Sequence, residues 1–257
     1  MKLGAALKRS LPPVITLVIV LVVWHVAVRA FGIKAFLLPS PIEVAEAAWK
    51  KRVTLLQATG VTALAAIVGF LSSLLVGTVT AFAFSQSRAI RSSGYPYAIF
   101  LQTVPVVAIA PLIVNWFGNG LHSVMIVAFI VSLFPIITNA TTGMLAVDPD
   151  LLDLFRLHHA SRWQIWTKLR LPGAVPHIMT GAKTSSGMSV IGAIVGEFFV
   201  GYGTKWAGLG YLIGHAQGQL KTSELLAAVI ASTLLGLTIF GLMTLISSTI
   251  LRRWEEA

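Results

Sequence analysis

The sequence predicts an all-α membrane protein with about six transmembrane helices. Of its 257 residues, 56% are hydrophobic and only 11% are charged, and the mean hydropathy is +0.84. A soluble domain usually carries about 25% charged residues, so this shortfall indicates a membrane protein. The apolar stretches are continuous and lack the alternation of a membrane barrel, which favours helices.

Six apolar segments are long enough to cross a bilayer, which takes about 20 residues. The first segment is too long for the core of a signal peptide and is expected to be a span. The third and fourth share one stretch without Lys, Arg, Asp or Glu, divided by a turn at 118–120. The predicted spans are 11–31, 53–87, two within 92–147, 176–200 and 225–251.

The charge distribution predicts that both termini lie in the cytoplasm. With that orientation, twelve of the 19 Lys and Arg residues fall inside, as the positive-inside rule requires. The predicted organisation is a cytoplasmic tail at 1–10, a membrane domain at 11–251 and a second tail at 252–257. The net charge of +10 does not indicate a nucleic-acid partner, because the basic residues stand at the ends of apolar segments.

A short helix is predicted at 41–51, lying at the outer membrane interface. Ser40 is a suitable N-cap, and Pro41 suits the first helical turn. Glu46 and Lys50 are spaced to pair at i and i+4.

One long polar loop, at 148–176, interrupts the apolar pattern. Asp148 and Pro149 suit the start of one short amphipathic helix, and Ser161 can cap a second at 162–171, before Pro172. The two helices are expected to meet at 159–161.

The spacing within this loop resembles the EAA loop of ATP-binding-cassette (ABC) importer permeases. That pattern has an acidic residue and two small residues, then a Gly after three residues, and later Ile-x-Leu-Pro. The matching positions are Asp153-Leu154-Phe155, His159 and Leu169-Arg170-Leu171-Pro172. Leu154 and Phe155 replace the small residues, and His159 replaces the Gly. Because His adopts a positive φ less readily than Gly, the shape of the turn is open.

Further short motifs resemble the nitrate, taurine and sulfonate branch of these permeases. They occur in the expected order between residues 38 and 211. They are Leu38-Pro39-Ser40-Pro41, Pro105 with Ala108-Ile109-Ala110-Pro111-Leu112, Trp116-Phe117-Gly118, Gly196-Glu197-Phe198 and Gly208-Leu209-Gly210-Tyr211.

The resemblance implies the transmembrane permease subunit of a bacterial-type importer, multi-pass in the inner membrane. It implies a homodimer in lipid that binds two ATPase subunits, which hold the ATP and Mg, and receives solute from an external binding protein. The chain itself would bind no cofactor and would not be an enzyme. The residues implied in ATPase coupling are Asp153, Leu154, Phe155, Arg156, His159, Ala160, Ser161, Leu171 and Pro172.

Four polar residues inside predicted spans are candidates for the translocation pathway. Glu197 is the one acid, and a charge at mid-membrane costs about 2.5–3.5 kcal/mol on insertion scales. It either lines the pathway or is buried with partners that fix helix packing. Gln102, Asn115 and Asn139 either contact solute or form hydrogen bonds between helices. Pro105 and Pro111 predict irregular helix, beside a path or as a packing kink.

Other functional classes lack their signatures. The sequence has no phosphate-binding G-x-x-x-x-G-K-[ST] loop and no zinc-protease or serine-hydrolase motif. Adjacent His158 and His159 point to different helix faces and do not indicate a metal site. The alternative is a self-sufficient secondary transporter, which should show inverted repeats and several intramembrane charges. With Lys183 counted at the cytoplasmic end of its span, no Lys or Arg lies deep in a span, which disfavours a tight anion site and favours a neutral or aromatic solute. A solute like nitrate, sulfonate or taurine and a pyrimidine or other aromatic compound both stay open.

Overall fold

The computed structural model describes residues 2–200 and 207–255, and within these ranges the protein is helical without strands. A π-helical turn, Trp166–Arg170, joins two of the helices. The α-helices are α1 Lys2–Ala30, α2 Pro41–Lys50, α3 Arg52–Gln86, α4 Arg88–Thr103, α5 Val106–Phe117, α6 Leu121–Leu145, α7 Pro149–Leu157, α8 Arg162–Ile165, α9 Leu171–Phe199, α10 Leu209–Gly218 and α11 Thr222–Glu255. The all-α prediction is confirmed.

Among the residues that the structure describes, four stretches are individually long and apolar enough to span a membrane: Leu11–Ala30, Arg52–Gln86, Leu121–Leu145 and Thr222–Arg252. Helices α4 and α5 qualify together as one broken span. The remaining predicted span corresponds to α9, which is 29 residues long but less apolar over its length than these four stretches. Its polarity has a structural reason, because Ser185, Ser186 and Ser189 are buried against other helices. The fold therefore agrees with about six spans. The orientation of the spans stays a prediction, and labelling of introduced cysteines from each side of the membrane tests it.

The third span is broken at Pro105. Its two halves, α4 and α5, are bent by 98° with respect to each other. Val104 and Pro105 have extended ψ angles of 126° and 112°. Proline lacks an N–H and disfavours helical geometry in the preceding residue, so the helix ends there. Pro111, by contrast, remains inside α5.

Helix α6 forms the centre of the bundle, between α3 and α9. Small residues allow the close approach. A Cβ on Gly69 of α3 would lie 2.6 Å from the Cβ of Ala128, and one on Gly192 of α9 would lie 2.8 Å from its Cα. Ser132 of α6 donates to Ser73 at 2.9 Å, and Ser185 donates to the Ser132 carbonyl at 2.6 Å. These contacts hold the three helices together as one unit.

The short helix predicted at 41–51 is present as α2, and its place at the outer membrane interface stays a prediction. Ser40 and Glu43 form a reciprocal capping box, and Glu46 lies 3.7 Å from Lys50. The backbone hydrogen bond from Ser40 is the main cause that lowers the pKa of Glu43. Helix α1 begins at Lys2, so it includes residues predicted as a tail.

Candidate coupling site and translocation path

The first arm of the polar loop is α7, and it ends in a well-defined turn. Asp148 caps its start by accepting from the Asp150 N–H at 2.9 Å. At its end, the Ala160 N–H donates to the Phe155 carbonyl and the His159 N–H donates to the Arg156 carbonyl, each at 2.9 Å. These two bonds define a Schellman motif, whose left-handed residue is usually Gly.

His159 occupies that left-handed position, with φ of +54°. The structure therefore places His in the backbone conformation for which Gly is preferred. The departure from the EAA pattern at this residue leaves the turn intact.

The second arm of the polar loop, residues 161–171, begins at the predicted cap but does not end at the predicted residue. Ser161 and Gln164 form a capping box, with Ser161 N donating to Gln164 Oε1 at 2.7 Å. The prediction of a separate helix ending at Pro172 is wrong, because the chain passes from α8 through the π-helical turn into α9. The Leu171 N–H donates to the Trp166 carbonyl, five residues back. This wider turn accommodates Pro172, which has no N–H to continue an α-helical ladder.

An aromatic cluster fixes the second arm to the end of α3. The ring of Phe82 lies 4.5 Å from that of Trp166 and 6.5 Å from that of Trp163. Arg170 adds a hydrogen bond from its guanidinium to the Ser85 carbonyl. Sequence reasoning missed this anchor, although the i, i+3 spacing of Trp163 and Trp166 places them on one helix face.

The predicted coupling residues fall into two groups. The first group, Asp153 to Ser161, lies on α7 and on the turn that follows it. We call this turn, residues 158–161, the loop tip. Around it, Leu154 and Leu157 are exposed, the latter at 77%. Leu171 and Pro172 lie ten residues further along, half-buried at the start of α9. The ion pair between Asp153 and Arg156, at 3.0 Å, is on the surface and contributes little stability.

Metal binding by the adjacent histidines finds no support in the geometry. Among residues 2–200 and 207–255, no three His, Asp or Glu side chains are grouped as metal ligands.

A cavity of about 320 Å³ lies at the break between α4 and α5. Gln102 and Thr103 contribute its polar side chains, and within the described chain no charged residue lines it. The other lining residues are Leu101, Val104, Pro105, Val106, Ile109, Ile113, Val127, Ile130, Val131, Phe134 and Met188. Asn115 is exposed outside this lining, and Asn139 donates to the Pro135 carbonyl of its own helix at 2.7 Å. Of the three uncharged candidates, Gln102 lines the cavity, as an exposed residue.

Glu197 lies outside that cavity and is only 2% exposed. Its carboxylate accepts from the Thr62 hydroxyl at 2.9 Å and from the Gly210 N–H at 2.7 Å. The same hydroxyl accepts from the Leu209 N–H at 2.8 Å. The carboxylate also faces the positive end of the α10 dipole. It thus joins α3, α9 and α10, a geometry that favours the packing role over the pathway role.

Two glycines make room for this carboxylate. A Cβ on Gly208 would lie 1.9 Å from Glu197 Oε1, and one on Gly210 would lie 2.3 Å from the Ile194 carbonyl oxygen. Two of the motifs that carried the family resemblance, at 196–198 and 208–211, therefore meet in space.

Comparison with known proteins decides the family. Residues 73–254 match the family of binding-protein-dependent transport system inner membrane components. The chain belongs to this family of permeases. It is accordingly a multi-pass protein of the inner membrane, as predicted.

Several named permeases are similar to this permease over most of their length. The riboflavin transport system permease RibX of Chloroflexus aurantiacus is 34% identical over 245 residues, covering 95% of this chain and 90% of RibX. The formylaminopyrimidine transport permease ThiX of Halalkalibacterium halodurans is 28% identical, covering 97% and 99%. The nitrate import permease NrtB of Synechocystis is 25% identical, covering 93% and 88%.

The fold is also that of a solved permease. A chain of the MetNI methionine ABC transporter, in an inward-facing crystal form, superposes with a TM-score of 0.65. The match covers 78% of this chain and 95% of the MetNI chain at 16% identity, so it shows the shared fold.

Proposed function

We propose that this permease imports a small heteroaromatic solute, driven by two ATPase subunits and supplied by an external binding protein. Two copies of the permease would enclose the path. The observation that carries the proposal is the unbroken helical connection from the loop tip to α9. Such a connection turns movement of a docked ATPase into movement of a membrane span.

The packing of α9 extends that movement to the cavity. Helix α9 packs along α6, where small residues bring the two backbones together. Met188 of α9 lines the cavity, as do Val127 and Phe134 of α6. A tilt of α9 therefore changes the cavity shape. If ATP binding stabilises one tilt and ATP hydrolysis the other, the cavity opens alternately to the two sides.

The chemistry of the cavity supports a neutral, flat solute. Its volume of about 320 Å³ lies at the lower end of ordinary small-molecule sites. Apolar walls with the amide of Gln102 suit a heteroaromatic ring, which offers both stacking area and hydrogen-bonding atoms. An anion such as nitrate would lose its hydration without meeting a cation. The riboflavin and formylaminopyrimidine permeases are also more similar to this chain than the nitrate permease.

Solute uptake tests this proposal directly. In cells that express the complete importer, labelled riboflavin or a labelled pyrimidine should accumulate, and unlabelled heteroaromatic compounds should compete. Gln102→Leu should lower uptake about tenfold, because the ring loses a hydrogen-bond partner inside the cavity. Asn115→Leu is the matched control, since Asn115 is exposed like Gln102 but does not line the cavity. Uptake of nitrate with no competition by heteroaromatic compounds would contradict the proposed solute class.

A further inference from the structure

A second feature of the polar loop is a notch of about 230 Å³ between the end of α3 and the two arms of the loop. Three of its lining side chains are arginines, and we call it the arginine notch. It is lined by Gln86, Leu152, Arg156, Arg162, Ile165 and Arg170.

The positive charge in the arginine notch is only partly balanced by the chain. Arg156 pairs with Asp153, but both side chains are about two thirds exposed. In the part of the chain that the structure describes, neither Arg162 nor Arg170 forms an ion pair. Arg162 and Arg170 therefore leave two unbalanced positive charges beside one small space, and these repel each other unless an anion joins them.

Arg170, at the inner end of the notch, is poorly solvated. It is half-buried, and its Nε is buried without a hydrogen-bond partner. Burial lowers the pKa of Arg170, and the positive charge of Arg156 lowers it further. A cation in this state gains strongly from a counter-charge that also accepts hydrogen bonds.

The donors in the notch select the kind of anion. Guanidinium groups present planar pairs of N–H donors that match the two oxygens of a carboxylate. We propose that the arginine notch accepts one carboxylate side chain of the docked ATPase subunit. This inference rests on the proposed function, and it gives the docked subunit a second contact beside the loop tip.

The position of the notch favours a protein carboxylate over a lipid phosphate. Arg156 and Arg162 are exposed, and they belong to the two arms that flank the loop tip. A subunit that covers the tip therefore also covers the mouth of the notch. Of the lining residues, only Gln86 comes from a membrane span.

A charge series at Arg162 tests the inference in the complete complex. Arg162→Glu should weaken ATPase binding to the purified permease at least about tenfold, and Arg162→Gln should weaken it severalfold. The binding of both variants should also depend less on salt than that of wild type. Lys168→Glu is the matched control, because Lys168 is an exposed cation of the π-helical turn that does not line the notch. Its binding should stay within about twofold of wild type.

Rescue identifies the partner group. Changing acidic residues of the ATPase singly to Arg should yield one variant that restores binding to Arg162→Glu. Equal affinities of Arg162→Glu and Lys168→Glu, with each permease folded by its melting temperature, would overturn the inference.

Two further outcomes distinguish the contact at the arginine notch from ATPase docking at the loop tip and from lipid binding. If Ala160→Glu at the loop tip abolishes binding while Arg162→Glu does not, the proposed function stands and the notch contact fails. If both leave binding intact, the docking proposal itself fails. A lipid phosphate in the notch would show instead as a loss of thermal stability of Arg162→Glu only in anionic nanodiscs, with ATPase affinity unchanged, and that result would also overturn the inference.

Discussion

Replacing Ala160 with Glu should release the ATPase subunits from the permease and stop ATP-driven uptake. Ala160 is half-buried in the loop tip, and its N–H closes the Schellman turn. A bulky charge there would be buried on docking without a partner, which at the centre of an interface costs about 2–4 kcal/mol or more. We expect affinity to fall at least about thirtyfold. Co-purification of the tagged permease with its ATPase, followed by an uptake assay, measures both effects.

Two variants control for this experiment. Ala89→Glu places the same charge on an exposed residue in the first turn of α4, where a negative charge is tolerated. His159→Gly keeps the left-handed turn while removing the imidazole, so it separates turn shape from side-chain contact. Both should assemble with the ATPase. Normal assembly and transport by Ala160→Glu would show that the loop tip is not the docking site.

The second large effect is expected at the contact between Glu197 and Gly208. Gly208→Ala should lower the melting temperature by several degrees or prevent folding, because its Cβ would overlap the carboxylate. The carboxylate has little room to retreat, since Thr62 and Gly210 hold it by hydrogen bonds. Gly187→Ala in α9 is the matched control, because its Cβ would meet no atom within 4 Å.

Substitutions of Glu197 itself then separate its two roles. Glu197→Leu leaves the buried Gly210 N–H without its acceptor, at about 1–3 kcal/mol, whereas the Thr62 hydroxyl keeps the Ala58 carbonyl at 3.1 Å. Glu197→Gln retains an acceptor oxygen and should unfold near the wild-type temperature with nearly normal uptake. Loss of uptake by the Gln variant at normal stability would instead place Glu197 on the pathway. A Leu variant normal in both assays would contradict both roles.

The features that could be predicted from the sequence are mostly local. Ser40 with Pro41, and Asp148 with Pro149, predicted helix starts correctly because a cap involves only neighbouring residues. Pro105 likewise predicted an irregular span, because a proline disturbs the helix at its own position and at the preceding residue. The 98° angle at that break could not be predicted, since it depends on how α5 packs against α6 and α9.

The features that could not be predicted depend on contacts distant in sequence. An acid in a span predicted that Glu197 would face protein or water, but its partner Thr62 lies 135 residues away. The prediction that the second helix of the loop ends before Pro172 is wrong, because a proline normally stops a helix but does not do so here. A π-helical turn, held against Phe82 of α3, lets the helix continue instead.

If ATP hydrolysed on partner subunits drives solute through this permease, transport requires the complete importer. Uptake into proteoliposomes measures this requirement, with permease, ATPase and binding protein added singly and together. We expect uptake only when all three proteins and ATP are present, and loss of that uptake in the Ala160→Glu complex. Uptake by the permease alone, driven by a proton or sodium gradient, would instead identify a secondary transporter.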